Sequence, residues 1–177
     1  MSAAISIFKE CFDAAVAELG EPVPVTMRTF NISYKAGGPR LHNDGGKVLL
    51  TLSPEAEGNL AQTRYQAAHE VVHVLCGLPP SATGLEEGVA VVFAEDCVQR
   101  VHHVDASAAI QTSPKYRRAR DLVRRLIDNG AGIKALRTET GGRLSGEIIT
   151  AGFLQAKFAN LSENDAIFLA TPDTEFR

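Results

Sequence analysis

A polar pentad, His69-Glu70-Val71-Val72-His73, stands in an apolar stretch, between Ala67-Ala68 and Val74-Leu75. Apolar residues recur at helical spacing over residues 60–76, and Gly77 with Pro79-Pro80 supplies the stop. Three hydrogen-bonding side chains in so apolar a stretch are costly to bury without partners. The fold must therefore bring compensating groups to them. Residues four apart lie on one helix face, about 6 Å apart along the axis, so both imidazoles reach a single metal ion. Glu70 stands beside them, a carboxylate able to hold and deprotonate water.

A catalytic metal site of this kind takes three protein ligands and keeps one position open. Candidates for the third are Glu86, Glu87, Glu95, Asp96, His102 and His103. Cys76 shares the histidine stripe but lies about 10 Å along the axis from His69, too far for bonds of about 2 Å, and is read as core. Glu86-Glu87-Gly88-Val89-Ala90 is the better source. On a helix Glu87 shares its face with Ala90, Val91 and Ala94, so its carboxylate points into an apolar interior that calls for a counter-charge. Glu86 has apolar neighbours too, and helical geometry alone does not separate the pair. Gly88 removes a side chain and lets two helices approach closely.

The remaining composition narrows the class. A chain of 177 residues with 45% apolar content buries one good core. Its net charge of −3 makes no case for nucleic acid or a membrane surface. The longest apolar runs are far too short to span a bilayer. Residues 1–20 mix acidic with apolar positions and read as an amphipathic helix rather than a secretion signal. Cys11, Cys76 and Cys97 are too few and too scattered for a disulfide framework and read as unpaired core thiols, with a cytoplasmic location as the expectation.

Helical spacing predicts a helix over 3–19, closed by Gly20. Residues 25–34 and 47–52 read as strands, separated by the turn clusters Gly37-Gly38-Pro39 and Asn43-Asp44-Gly45-Gly46, and are expected to form a small antiparallel sheet. His42 falls in this turn region and reads as an exposed loop residue. A second apolar helix is expected over 85–100. Thr112-Ser113-Pro114 opens a basic amphipathic helix that ends at Asn129-Gly130. Shorter helices are expected over 132–138, 144–158 and 162–170.

His69-Glu-x-x-His73 followed by Glu87-Gly88-x-Ala90 resembles the gluzincin group of zinc metallopeptidases, which includes thermolysin and aminopeptidase N. The likeness covers roughly residues 47–136. It implies Glu87 as third ligand, zinc (Zn²⁺) as the cofactor and Glu70 as general base. It also implies a tyrosine at the start of a downstream basic helix, here Tyr116, as the donor that steadies the oxyanion. Three departures stand out. The spacer 74–86 is short, Glu86 replaces the usual asparagine, and the Gly-x-Met-x-Asn exopeptidase strand is missing, so aminopeptidase specificity is not implied. The metzincin pattern fails as well, because Cys76 and Pro79 occupy positions where its glycine and histidine belong.

The expectation is thus one α+β domain over 1–177 with a zincin-like core: an N-terminal helix and small sheet over 1–56, then a helical part over 57–177. Zinc-dependent hydrolysis of a peptide or protein substrate is the expected activity. A zinc-binding interaction domain without turnover is the alternative. Strand 47–52 could offer an edge to an extended peptide, or be buried. Glu95 could instead hydrogen-bond a ligating imidazole. The basic helix 114–128 reads as a solvated face, so no nucleic-acid partner is expected.

Overall fold

The computed structural model describes residues 2–25, 29–104, 113–127 and 130–172. Helix α1 (Ala3–Leu19) starts where the Ser2 hydroxyl accepts from the Ile5 amide, and ends at Gly20 with φ 92°. Its stripe of Ala4, Ile7, Phe8, Cys11, Ala15 and Leu19 is buried. Three strands follow, β1 (Thr29–Tyr34), β2 (Arg40–Asp44) and β3 (Lys47–Leu52). After a single 3₁₀ turn over Pro54–Ala56 come α2 (Leu60–Leu75), α3 (Gly84–His102), α4 (Pro114–Leu126), α5 (Gly130–Glu139), α6 (Ala151–Lys157) and α7 (Glu163–Ala170). The described residues thus form an α+β fold of seven α-helices and a small three-stranded sheet.

The sheet is mixed rather than antiparallel. Its order is β1-β3-β2, with β3 antiparallel to β2 and parallel to β1. The reason lies in two glycine clusters. Gly45 and Gly46, with φ of 55° and 91°, form a two-residue turn that pairs Asp44 with Lys47 and closes a β2–β3 hairpin. Asn43 Oδ1 accepts from the Gly46 amide at 3.1 Å and pins that turn. Residues 35–39 cross the end of β3, where a Cβ on Gly38 would stand 2.8 Å from the Leu52 carbonyl carbon. Glycine lets the chain pass this close, so β2 lands on the far side of β3 and β1 pairs in parallel. Strand β2 has no alternation strong enough to announce it, and His42 lies on it, exposed. Strand β3 is central and its core face (Val48, Leu50, Leu52) is buried, the second of the two readings left open for it; the edges of the sheet are β1 and β2.

Helix α2 runs through the middle of the molecule, buried at every position from Thr63 to Leu75. Helices α1 and α3 pack against it, and α4 packs on the outer side of α3. Gly88 does permit a close approach, but to α4 rather than to α2: a Cβ there would lie 2.6 Å from the Ala119 carbonyl oxygen. Gly84 plays the same part against α7, where a Cβ would meet the Phe168 oxygen at 2.7 Å.

Arg137, only 2% exposed, fastens the ends of two helices. Its guanidinium donates to the carbonyls of Leu19, Gly20, Glu21, Leu75 and Gly142. These include acceptors that the C-termini of α1 and α2 leave without intrahelical donors. In the C-terminal part, the helix expected over 144–158 begins only at Ala151, capped by Thr150, because Gly146 at φ 92° keeps 144–150 in turns. Thr112, Asn129 and the strand residues expected over 26–28 lie outside the described residues.

Candidate metal centre

The middle of α2 presents His69, Glu70 and His73, which are 7%, 6% and 4% exposed. Their ligand atoms lie within 4.8 Å of one another, and this group could bind a metal ion. The two Nε2 atoms face each other at 3.3 Å. Helix α3 brings Glu87 to the same spot: its Oε2 is 3.1 Å from His69 Nε2 and 3.6 Å from His73 Nε2. Zinc bonds of about 2.0–2.1 Å at tetrahedral angles place donor atoms roughly 3.3 Å apart. The three separations match the edges of such a face.

Glu87 Oε2 is fully buried, yet accepts no hydrogen bond among the described residues. The polar atoms beside it are the two Nε2 atoms, so either an imidazolium proton or a cation at the centre of the triangle would neutralise it. Electrostatics point the same way. Burial opposes charge on Glu87, but His73 and His69 beside it hold its pKa down at about 2. Burial also opposes a proton on His73, and there the Glu87 and Glu86 carboxylates win, holding it well above the ordinary histidine value.

The neighbouring carboxylate does a different job. Glu86, fully buried, sets Oε1 2.7 Å from His73 Nδ1, on the opposite side of the ring from Glu87. Its Oε2 accepts from the Ser145 hydroxyl. Ser145 Oγ in turn accepts from the Thr83 amide at 3.1 Å, while Thr83 Oγ1 caps α3 at the Glu86 amide and donates to the Leu144 carbonyl at 2.7 Å. An Nδ1–H held by Glu86 leaves the Nε2 lone pair directed at the centre. Helical periodicity could not separate Glu86 from Glu87, since both have apolar neighbours. The seat of Ser145, distant in sequence, decides it.

The remaining candidates lie elsewhere. Glu95 does not touch a ligand imidazole; it binds Arg120 at 3.2 Å and Arg124 at 2.9 Å, bridging α3 to α4. Asp96 pairs with Arg124, His102 meets Arg64 Nε at 3.3 Å, and His103 ends α3 in a left-handed conformation. Cys76 is buried at the end of α2. On α4, Arg118 binds Asp165 at 2.9 Å and Arg120 also binds Asp121, so several of its cations are matched within the chain.

A cleft of about 530 Å³ opens over the triad. One wall is Pro39 with β2 from Arg40 to Asn43; the others include Tyr65, Val91, Ser113 and Tyr116. Gly77 and Leu78, both at positive φ (89° and 56°), turn the chain after α2 so that Leu78-Pro79-Pro80 joins the lining. A leucine in that conformation costs about 1 kcal/mol or more, a strain borne at the cleft rim. Tyr116 packs edge-on against His69, with ring centroids 5.9 Å apart and planes at 72°. The sequence did not foresee β2 or Tyr65 as lining.

No protein-family model matches the chain, and neither the curated proteins nor the solved structures yield a match to it. No described helix is long and apolar enough to cross a membrane.

Proposed function

We propose that His69, His73 and Glu87 hold a zinc ion and that the chain is a gluzincin-like, zincin-fold peptidase over its single domain, hydrolysing peptide bonds. The observation that carries this reading is the near-equilateral set of His69 Nε2, His73 Nε2 and the buried Glu87 Oε2, with Glu70 within 4.8 Å of both imidazoles. Two imidazoles and one carboxylate suit zinc among the common divalent ions. Zinc bound there supplies a Lewis acid that polarises the scissile carbonyl and makes water acidic near neutral pH.

The chain's own residues perform the rest. Glu70 accepts the proton of the attacking water and passes it to the leaving amine. Tyr116, at the cleft beside His69, donates to the oxygen on which negative charge develops. The outer edge of β2 offers main-chain groups to an extended peptide, which places the substrate across the triad. The substrate is then a peptide or an unfolded protein segment, and the working compartment is a reducing cytoplasm in which the three thiols stay free.

The test uses the full chain purified without added metal, then loaded with one equivalent of zinc. Wild type is expected to retain zinc and to cleave members of a mixed peptide library, read by mass spectrometry. Glu70→Gln is expected to keep the zinc and lose cleavage by about 100-fold or more. Failure of wild type to bind zinc overturns the metal assignment. Zinc binding with no cleavage of peptides or unfolded protein overturns the hydrolytic one, in favour of a domain that binds zinc without turnover.

A further inference from the structure

Arg40 is the only lysine or arginine among the described residues that line the cleft. It is exposed, and its guanidinium meets no carboxylate among the described residues. The register of the sheet shows why. Residues directly opposite each other on neighbouring strands share a face. Arg40 stands opposite Thr51, and His42 opposite Leu49. On β1, Ser33 and Asn31 continue the same two rows. None of these four neighbours is an acid. Asp44, the one acid of β2, shares the face but stands opposite Lys47 at the turn of the hairpin. Arg40 is thus a permanent charge with no counterpart, set in the wall of a site whose carboxylates, Glu70 and Glu87, belong to the triad.

Pro39 to Asn43 line the cleft without a gap, residues of both faces together. A strand does this by turning its edge, not a face, toward the space. With β3 on its other side, β2 offers along that edge the main-chain groups of every second residue. A peptide pairing there alternates its side chains. One set points with Leu41 to the core side, where α2 packs; the next points with Arg40 and His42 to the opposite side. Side chains facing across neighbouring strands stand about 5 Å apart at Cβ, within easy reach of a guanidinium.

We propose that Arg40 determines specificity in this cleft, selecting extended peptides with a glutamate or aspartate on the strand face turned away from α2. The inference rests on the reading of the β2 edge as the peptide's seat, and adds the class of sequence that this edge takes. The pair is open to water, so the preference is a few-fold one rather than an absolute gate. A lysine at the same place meets like charge and is disfavoured by a similar factor. A one-residue slip would carry the acid to the other face, away from Arg40, so the charge also biases the register in which a peptide crosses the triad.

The experiment uses the full chain loaded with zinc and carrying Glu70→Gln, so that the anisotropy of labelled peptides reads binding without turnover. One glutamate is walked along an otherwise uncharged valine–threonine peptide, and each member has a lysine counterpart. At one position glutamate is expected to bind about 2–5-fold tighter than threonine, and lysine more weakly. Adding Arg40→Glu is expected to reverse that order, and Arg40→Gln to level it. Arg125→Gln removes a charge on α4 outside the cleft and keeps the order, while about 1 M salt shrinks it. The proposal is overturned if no position shows a preference that Arg40→Glu removes, or if none of the peptides binds. Cleavage by wild type is a separate readout. Cleavage without a charge preference sinks the role of Arg40 alone, and a preference without cleavage sinks the hydrolytic reading alone.

Discussion

Glu86 stands behind His73, its Oε1 2.7 Å from Nδ1, and Ser145 holds the other oxygen of the same carboxylate. A glutamine at 86 still offers one oxygen to the ring. Its amide nitrogen, however, must donate toward Ser145 Oγ, which already accepts from the Thr83 amide and would lose its own acceptor. Glu86→Gln is therefore expected to weaken zinc binding by about 10–100-fold while leaving the helical content intact. Competition with a chromogenic chelator, alongside circular dichroism, reads both. Unchanged affinity would mean that packing alone orients the ring.

Arg137 closes the C-termini of α1 and α2 with donors to five carbonyls. Arg137→Leu preserves much of the volume and removes the guanidinium donors from all five oxygens, of which Leu75 O keeps the Val23 amide. Unfolding in urea is expected to show a loss of at least about 3 kcal/mol. Lysine at this position recovers only part of it, since one ammonium cannot reach all five acceptors.

Gly88→Ala drives a methyl into the Ala119 carbonyl and the Val123 side chain, both 2.6 Å from the new Cβ. Backbone cannot yield as a flexible side chain does, so α4 must shift outward. The expected cost is about 1–3 kcal/mol in urea unfolding. Zinc affinity should fall as well, because Gly88 adjoins Glu87.

Asp165 receives hydrogen bonds from Arg118 and Ser162, with Arg125 nearby, and these hold its carboxyl below the ordinary value against the opposing effect of burial. A carboxyl depressed in the folded state binds protons less readily than in the unfolded chain. Its contribution is complete above the unfolded value near 3.8 and disappears as pH falls through the lower folded one. Asp165→Asn should therefore flatten the acid limb of a stability–pH curve below about pH 4, and leave the neutral plateau nearly unmoved because the pair is partly solvated. An unaltered acid limb would show that Arg118 does not engage this carboxylate in solution.

Much of this arrangement was legible in the residues. The pentad in an apolar helix and the bounds of α1 and β3 follow from periodicity. The need for an acid of the pair Glu86-Glu87 to find a counter-charge follows from the cost of burying it, and the choice of Glu87 rests on the resemblance alone. What escaped depended on contacts distant in the chain. The mixed pairing of the sheet turns on how closely Gly38 passes the end of β3, which no local pattern encodes. Glu86 and Glu87 are neighbours with similar surroundings in sequence, and only the position of Ser145 distinguishes the group behind His73 from the one before it. Glu95 appeared a candidate partner for an imidazole until α4 supplied two arginines. Strand β2, short and mostly exposed, carries almost no hydrophobic signature, yet it walls the cleft.

Adjacent positions on a helix diverge by about 100°, so Glu86 and Glu87 flank His73 only in one rotational setting of α3. Gly84 against α7, Gly88 against α4 and Ser145 against Glu86 are three stops on that rotation, all supplied by the second half of the chain. A twist of α3 by a single position would carry one acid into the other's place and swing the other away from His73, without moving any residue of α2. The C-terminal part of the chain thus sets the geometry of a centre to which it contributes none of the four side chains His69, Glu70, His73 and Glu87.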